Sequence, residues 1–283
     1  MASGITHRQL APFGVEVKLD AAESLSAEDE SELRRLFAQD GVLVVRGLDM
    51  SLDDQLEFCS LFGPVLRSEG ETYVVSNDPA KGILAGAELT FHSDIPYVPV
   101  PYAAGALYAV EVTEGVSPTR FASGMRAYER ASPALRARID GLNSLQMRTR
   151  TIDGRNRLTD AKPTDNCAVQ AVVGRQAETG RPYIFPGETH SAAIIGLAEA
   201  DSEALLEELF ALLYAPDNIY DHEWRTGDLV IWNNLAVQHA RKPVTGGVRT
   251  LQRVSTGRFA YWDQYPLDRE TFEKLKELVS DVA

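Results

Sequence analysis

The feature that most constrains the fold is a series of short apolar segments that do not alternate regularly with helices. Residues 42–45 (Val-Leu-Val-Val) are apolar at every position, as is typical of a strand buried on both faces. Further strands are predicted at residues 104–112, 227–232 and 249–260. A doubly wound sheet requires regular alternation of strands and helices, so this order disfavours it. We predict a mainly β fold with α insertions, in which a jelly-roll or barrel core is flanked by helices.

Helix signals interrupt these strands at a few places. Ser26 and Ser51 are each followed three positions later by an aspartate, which predicts the start of a helix. Gly41 and Gly63 predict where these two helices end. Further helices are predicted at residues 123–130, 133–141 and 200–213 and from residue 268 onward. Residues 150–166 are polar and lack periodicity, which predicts a mobile loop or lid.

Length and charge limit the domain organisation and the partners. The 283 residues contain no repeat, low-complexity tract or linker and suit one large domain or two small ones. A formal net charge of −13 argues against nucleic acid or an anionic membrane as a partner. The negative net charge does not argue against an anionic small molecule, because arginines inside a pocket can make the charge there positive.

Cysteine content and the N-terminus indicate a compartment. The two cysteines, Cys59 and Cys167, are too few for a disulfide framework or a zinc site and predict reduced, buried thiols. No segment approaches the roughly 18 apolar residues of a membrane span, and the N-terminus lacks the apolar core of a signal peptide. We therefore expect a cytoplasmic protein.

The first candidate site is the His-x-Asp pair His92 and Asp94. Side chains two apart in an extended strand point to the same face, so the two can aim at one point. A second histidine facing that point would complete a 2-His-1-carboxylate set, which holds non-haem Fe(II) and leaves open positions. His239, 145 positions after Asp94, is the candidate third ligand. By itself such a pair is more often a surface or core pair that binds no metal.

Two arginines and a threonine extend this site. Arg249 and Arg253 lie four apart in the strand predicted after His239, so they share a face. Two guanidinium groups beside a metal are suited to a dicarboxylate, or to two separate anions. Thr119 could add a hydroxyl to the same carboxylate.

Several ordered motifs now point to a family. They are Gly41-Val42-Leu43-Val44-Val45-Arg46-Gly47, Phe62-Gly63-Pro64, His92-Ser93-Asp94, Leu107 to Val112 leading into Thr119, Gly227-Asp228-Leu229-Val230-Ile231-Trp232-Asn233-Asn234, Gln238-His239, Arg249 and Arg253. With these motifs the chain resembles the TauD/TfdA, or taurine dioxygenase-like, family of Fe(II)- and 2-oxoglutarate-dependent dioxygenases. In the place of the usual Gly-Gly-Asp-Thr it has Gly-Val-Ser-Pro-Thr, which ends at Thr119.

The resemblance implies a fold and a reaction. The fold would be a double-stranded β-helix, a cupin-like jelly roll, in a single domain over residues 1–283. The enzyme would use Fe(II), 2-oxoglutarate and O2 to hydroxylate a small, anionic organic substrate and would release succinate and CO2. Desaturation or cyclisation in secondary-metabolite biosynthesis is the alternative outcome. An even-numbered homo-oligomer, a dimer or tetramer, is also implied.

The resemblance also implies roles for residues. His92, Asp94 and His239 would hold the iron, and Thr119 and Arg249 would bind the distal carboxylate of 2-oxoglutarate. Arg253 would contact either the substrate or 2-oxoglutarate. Three further positions fall near the substrate side: Glu88, Tyr97 and His190. An exposed loop histidine is the alternative for His190, and we expect His7 and His222 to be surface or cap residues.

Two other classes of function compete with this one. A hydrolase could place Zn²⁺ and a bound hydroxide on the same His-x-Asp and His set, but it would not need Arg249 and Arg253. A non-catalytic protein could bind a small acid as a sensor, although the intact set of three ligands argues against that interpretation.

Overall fold

The structure is a computed structural model that describes residues 5–19, 25–67, 73–148, 157–162 and 165–264. Its strands are β1 Ile5–Gln9, β2 Val15–Leu19, β3 Val42–Val45, β4 Tyr73–Ser76, β5 Ile83–Leu84, β6 Leu89–His92, β7 Ala104–Val112, β8 Thr119–Ser123, β9 Asn143–Met147, β10 Cys167–Ala171, β11 Val173–Arg175, β12 Pro182–Ile184, β13 Ser191–Ile194, β14 Ile219–His222, β15 Leu229–Asn233, β16 Val237–Arg241 and β17 Arg249–Thr256. Its α-helices are α1 Ala27–Asp40, α2 Leu52–Cys59, α3 Gly124–Arg130, α4 Pro133–Ile139, α5 Glu199–Leu213 and α6 Tyr261–Gln264.

Two sheets form the core of the fold. The larger has eight strands in the order β1-β2-β3-β15-β7-β17-β4-β5, and the smaller has four in the order β14-β8-β16-β6. Apolar side chains from both sheets meet in one cluster, to which the larger sheet contributes Val44, Leu107 and Trp232 and the smaller contributes Phe121 and Val237. This is the predicted jelly roll, in which neighbouring strands come from distant parts of the chain.

Helices α1 and α2 cover the other face of the larger sheet. Ser26 and Ser51 accept hydrogen bonds from the backbone N–H three residues on, and the aspartate at that position bonds back, so both predicted capping boxes form. Gly41 ends α1 in the left-handed conformation, with φ of 74°, which glycine adopts without steric cost. Leu33 and Leu36 of α1 are buried in the cluster beneath the helices.

Three of the remaining helices pack beside the two small sheets. Helices α3, α4 and α5 share an apolar cluster that includes Ile139, Ile184 and Leu209. The small sheets are β10-β9-β13 and β11-β12. None of the described helices is long and apolar enough to cross a membrane.

The structure differs from the sequence expectations at several points. Strand β6 ends at His92, so Asp94 lies just beyond the strand and not within it. The backbone N–H of Asp94 bonds to the side chain of Asn234 instead of to a neighbouring strand, and Ile95 has a φ of 51°, which an extended strand does not allow. Most of the predicted 150–166 loop, and the tail helix from residue 268, lie outside the described residues.

His222 corrects another expectation. It was expected at the surface or at a cap, but it is fully buried at the end of β14. Its Nε2 lies 3.3 Å from Oδ2 of Asp228, and its ring packs edge-on against Trp224. Its Nδ1 lies 3.1 Å from Oη of Tyr220 in the same strand, so polar groups face both ring nitrogens of this buried histidine.

Candidate metal centre

The register of β6 and β16 brings the two histidines together. The strands are antiparallel neighbours, and His239 is paired with His92. Their ring centroids lie 4.2 Å apart. Oδ1 of Asp94 lies 3.9 Å from Nε2 of each histidine, and one potential ligand atom from each of the three residues lies within 4.8 Å of the others. The structure thus brings together the three residues that the sequence predicted as ligands.

The protonation of the histidines suits metal binding. Nδ1 of His92 lies 2.7 Å from the carbonyl oxygen of Thr90. Because a carbonyl only accepts, Nδ1 of His92 carries a proton, which leaves Nε2 as the nitrogen that can face a metal. Burial, together with repulsion from His92, lowers the pKa of His239 to about 3, so the ring of His239 is neutral at physiological pH. Two imidazoles and one carboxylate form a ligand set that fits Fe(II).

Asp94 is held ionised by Arg253. Burial opposes the charge of the carboxylate, but Arg253, His239 and His92 outweigh it and keep the pKa of Asp94 well below its usual range. Nη2 of Arg253 lies 2.7 Å from Oδ2 of Asp94, and its guanidinium lies over the ring of Tyr73. Arg253 therefore engages one carboxylate oxygen, while Oδ1 faces the histidines.

Asn234 fixes the backbone that carries Asp94. Its Oδ1 accepts the Asp94 N–H at 2.7 Å, and its Nδ2 donates to the carbonyls of Asp94 and Tyr102 at 2.9 and 3.0 Å. The side chain is fully buried in the turn between β15 and β16. Asn234 therefore ties the segment after β6 to the strand that carries His239.

All three candidate ligands line one cavity, which we call the inner cavity. The predicted residues Thr119, Arg249 and Arg253 all line it. Arg249 is buried, and its Nη2 donates to Oγ1 of Thr119 at 2.8 Å while its Nε donates to the carbonyl of Ser117 at 3.1 Å. The segment that differs from the family motif thus contacts Arg249 through Ser117.

Two neighbours of Thr119 and Arg249 were not foreseen. Trp224 donates from Nε1 to Oγ1 of Thr119 at 3.0 Å. Since Arg249 also donates to this oxygen, the hydroxyl hydrogen of Thr119 remains to be donated elsewhere. Arg241 lines the inner cavity, and burial together with the charge of Arg241 lowers the pKa of Arg249 to about 9. Only the tertiary structure reveals both neighbours.

A second, outer cavity adjoins the inner one. It shares His92 and Asp94 with the inner cavity and is lined by the predicted Tyr97 and His190. His190 is buried, with its ring 5.1 Å from that of Tyr97, so the alternative of an exposed loop histidine is wrong. Glu88 is exposed and lines neither cavity.

Arg148 is a cation of the outer cavity that the sequence analysis did not single out. Its Nη1 donates to Oη of Tyr261 at 3.1 Å, and Asn166 donates to the same oxygen. No carboxylate of the described residues pairs with Arg148, and Asp94 is the only described acidic residue in the cavity wall. This wall is therefore suited to an anion.

Comparison with known proteins identifies the family. A family model described as "Taurine catabolism dioxygenase TauD, TfdA family" matches residues 6–255. The chain belongs to the TauD/TfdA family of dioxygenases. The predicted family and the prediction of an oxidoreductase are confirmed, and the use of Fe(II), 2-oxoglutarate and O2 is confirmed at the level of this family.

Individual relatives of this TauD/TfdA member are distant. The (S)-phenoxypropionate/alpha-ketoglutarate-dioxygenase of Sphingobium herbicidovorans is 29% identical over 253 residues, which cover 82% of this chain and 87% of the relative. Pentalenolactone F synthase of Streptomyces arenae is 29% identical over 243 residues, which cover 75% of this chain and 80% of the relative. The crystal structure of a taurine dioxygenase from Burkholderia xenovorans matches with a TM-score of 0.75 at 22% identity, covering 90% of this chain and 92% of that one. This likeness confirms the predicted fold.

Proposed function

We propose that the protein oxidises an unactivated C–H bond of a small anionic organic molecule and converts 2-oxoglutarate to succinate and CO2. The observation that carries the proposal is that His92 and Asp94 line two cavities of different character, while His239 completes the set of three in the wall of the inner one. The inner one is lined by arginines and suits a dicarboxylate. The outer one is partly aromatic and suits an organic substrate.

Each cavity has a task in this proposal. His92, Asp94 and His239 would hold Fe(II), which together with 2-oxoglutarate and O2 supplies the oxidising power. Arg249 and the hydroxyl of Thr119 would bind the distal carboxylate of 2-oxoglutarate, which fixes the other end of the molecule at the metal. Tyr97 and His190 would exclude water from the reacting carbon.

The proposed anionic substrate is supported by Arg148. Arg253 was expected to contact either the substrate or 2-oxoglutarate, but its side chain is engaged with Asp94. Arg148 lines the outer cavity and forms no ion pair with a described carboxylate. An anionic group beside Arg148 and Tyr261 would leave the body of the substrate to extend past Tyr97 toward the metal. The phenoxypropionate relative acts on such an anion.

Hydroxylation is the reaction that we propose first. A desaturation or cyclisation is the second candidate, and the similarity to pentalenolactone F synthase favours it. A zinc hydrolase is less well supported, because it would have no use for the buried Arg249 and its contact with Thr119.

A substrate screen tests this proposal. The protein with Fe(II), 2-oxoglutarate and O2 would be given aryloxyalkanoates and related carboxylates, each beside its neutral methyl ester, and succinate would be measured. We expect at least one carboxylate to raise succinate release well above the level without substrate, while its ester does not. Arg148→Gln should raise KM for that carboxylate, and the exposed Arg175→Gln should not. Methyl esters that raise succinate release as much as the corresponding acids do would contradict the proposal of an anionic substrate.

A further inference from the structure

The inner cavity contains a buried guanidinium, that of Arg241, to which the proposed function assigns no role. Arg241, two residues after His239 at the end of β16, is 3% exposed. Its Nε and Nη2 donate to the backbone carbonyls of Leu84 and Ala87. Its Nη1 is buried and has no hydrogen-bond partner in the described part of the chain. Buried donors are normally paired, so this one calls for an explanation.

The sheet register directs Arg241 toward the same place as Thr119. The two residues are directly paired across β16 and β8, and directly paired residues project to the same face of a sheet. Both line the inner cavity, as does Arg249, which donates to Thr119. Thr119 therefore has an arginine on either side.

The charges of the cavity wall do not balance. Among its described residues there are three arginines and one carboxylate, Asp94. Arg253 pairs with that carboxylate, which leaves Arg241 and Arg249 without an acidic partner. Buried charges without a partner are costly, and an entering anion would relieve that cost. The pKa of Arg249, lowered to about 9 by burial and by Arg241, is a sign of the same excess of positive charge.

We propose that Nη1 of Arg241 is a second guanidinium donor to the distal carboxylate of 2-oxoglutarate, opposite Arg249. The inference rests on the proposed function and adds a residue that determines co-substrate specificity. Two guanidiniums and one hydroxyl would then recognise the distal end, so the protein would discriminate strongly between a 2-oxo dicarboxylate and a 2-oxo acid that ends in a methyl group.

A purely structural role for Arg241 makes a different prediction. Its bonds to Leu84 and Ala87 hold a turn in which Leu84 and Ala85 have left-handed φ values of 67° and 37°. Leu84 lines both cavities. If Arg241 served only to hold this turn, its loss would weaken the binding of every ligand of the inner cavity to a similar degree.

Calorimetric titration of the Mn(II)-loaded protein separates the two roles. The probes are 2-oxoglutarate and 2-oxovalerate, which has a methyl group in place of the distal carboxylate. In Arg241→Gln we expect the affinity for 2-oxoglutarate to fall about 10- to 100-fold, the range for one charged hydrogen bond. The affinity for 2-oxovalerate should change less than about twofold. Arg241→Lys keeps the positive charge, so its affinity for 2-oxoglutarate should fall less than that of Arg241→Gln.

The controls make each outcome decisive. Ala85→Gly alters the turn without removing the guanidinium and should leave the ratio of the two affinities unchanged. Equal weakening of both ligands in Arg241→Gln, or no weakening of either, would overturn the inference. Should Arg241→Gln not fold, an unchanged affinity ratio in Arg241→Lys would overturn it as well. If the wild-type protein binds Mn(II) but not 2-oxoglutarate, the proposed function itself fails.

Discussion

At the scale of single residues, the site depends on side chains that orient the candidate ligands as well as on the ligands themselves. Nδ1 of His92 is fixed by the carbonyl of Thr90, Oδ2 of Asp94 by Arg253, and the backbone of Asp94 by Asn234. Such supporting contacts commonly contribute 10- to 100-fold, in order of magnitude, to metal affinity.

Asn234→Ala tests this support directly. The change removes three hydrogen bonds around Asp94 and Tyr102 and leaves buried backbone groups unpaired. We expect the affinity for Mn(II), measured by calorimetry, to fall about tenfold or more. We also expect the free energy of unfolding to drop by about 2 to 4 kcal/mol. A matched control is Asn77→Ala, whose side chain bonds to the backbone of Gly247 and Arg249 and not to that of a candidate metal ligand. Unchanged metal affinity in Asn234→Ala would show that Asp94 needs no such support.

The sequence was informative for some of these residues and not for others. His92, Asp94, His239, Thr119 and Arg249 lie in ordered motifs, and the structure brings all five to the inner cavity. Arg148 and Arg241 lie in no motif. Their proposed roles depend on what surrounds them: no carboxylate of the described residues pairs with Arg148, and Arg241 is paired with Thr119 across two strands.

At the scale of elements, the predictions were most accurate where local signals are strong. Helix α1 begins after its predicted capping box and ends at Gly41, and the apolar strand at residues 42–45 forms as expected. The strands β9, β13 and β14 were not predicted, because each is short and mixed in polarity. Their extended form depends on pairing with distant strands, which local propensity does not encode.

Strand β7 offers a test of how the larger sheet supports the site. A Cβ atom at Gly105 would overlap the indole ring of Trp232, and this ring lies 4.6 Å from that of His239. We expect Gly105→Ala to lower the free energy of unfolding by about 1 to 3 kcal/mol, as overpacking does. It should also weaken Mn(II) binding, because the displaced indole would push on His239.

A second substitution serves as the control for this prediction. Trp232→Phe makes room beside residue 105, so the double variant should recover part of the stability and metal affinity that Gly105→Ala loses. Thermal unfolding and calorimetry would measure both. If the effects of the two substitutions simply add, the indole ring does not transmit the change to the site.

At the scale of the whole molecule, the buried histidines predict how stability depends on pH. Burial lowers the pKa of His190 and of His239 to about 3 and also lowers that of His222. In the unfolded chain each titrates near its ordinary value of about 6.5. The unfolded state therefore binds more protons as the pH falls below about 6.5, and the folded state loses stability.

We expect the Tm of the metal-free protein to be nearly constant above pH 7 and to fall between pH 7 and pH 5. By pH 5, the low pKa of each of His190 and His239 should reduce the free energy of unfolding by about 2 kcal/mol. His190→Gln should reduce the slope of this dependence, whereas the exposed His7→Gln should not. A Tm that stays flat from pH 7 to pH 5 would show that these rings are not held neutral by burial.

The visible spectrum of the protein with Fe(II) and 2-oxoglutarate in the absence of oxygen tests whether His92, Asp94, His239 and Arg249 bind the metal and the co-substrate together. We predict a weak charge-transfer band near the middle of the visible range. The band should be absent in His239→Ala and should need more 2-oxoglutarate in Arg249→Gln, while Arg175→Gln should match the wild type. Folded wild-type protein that shows no band at any 2-oxoglutarate concentration would contradict the account.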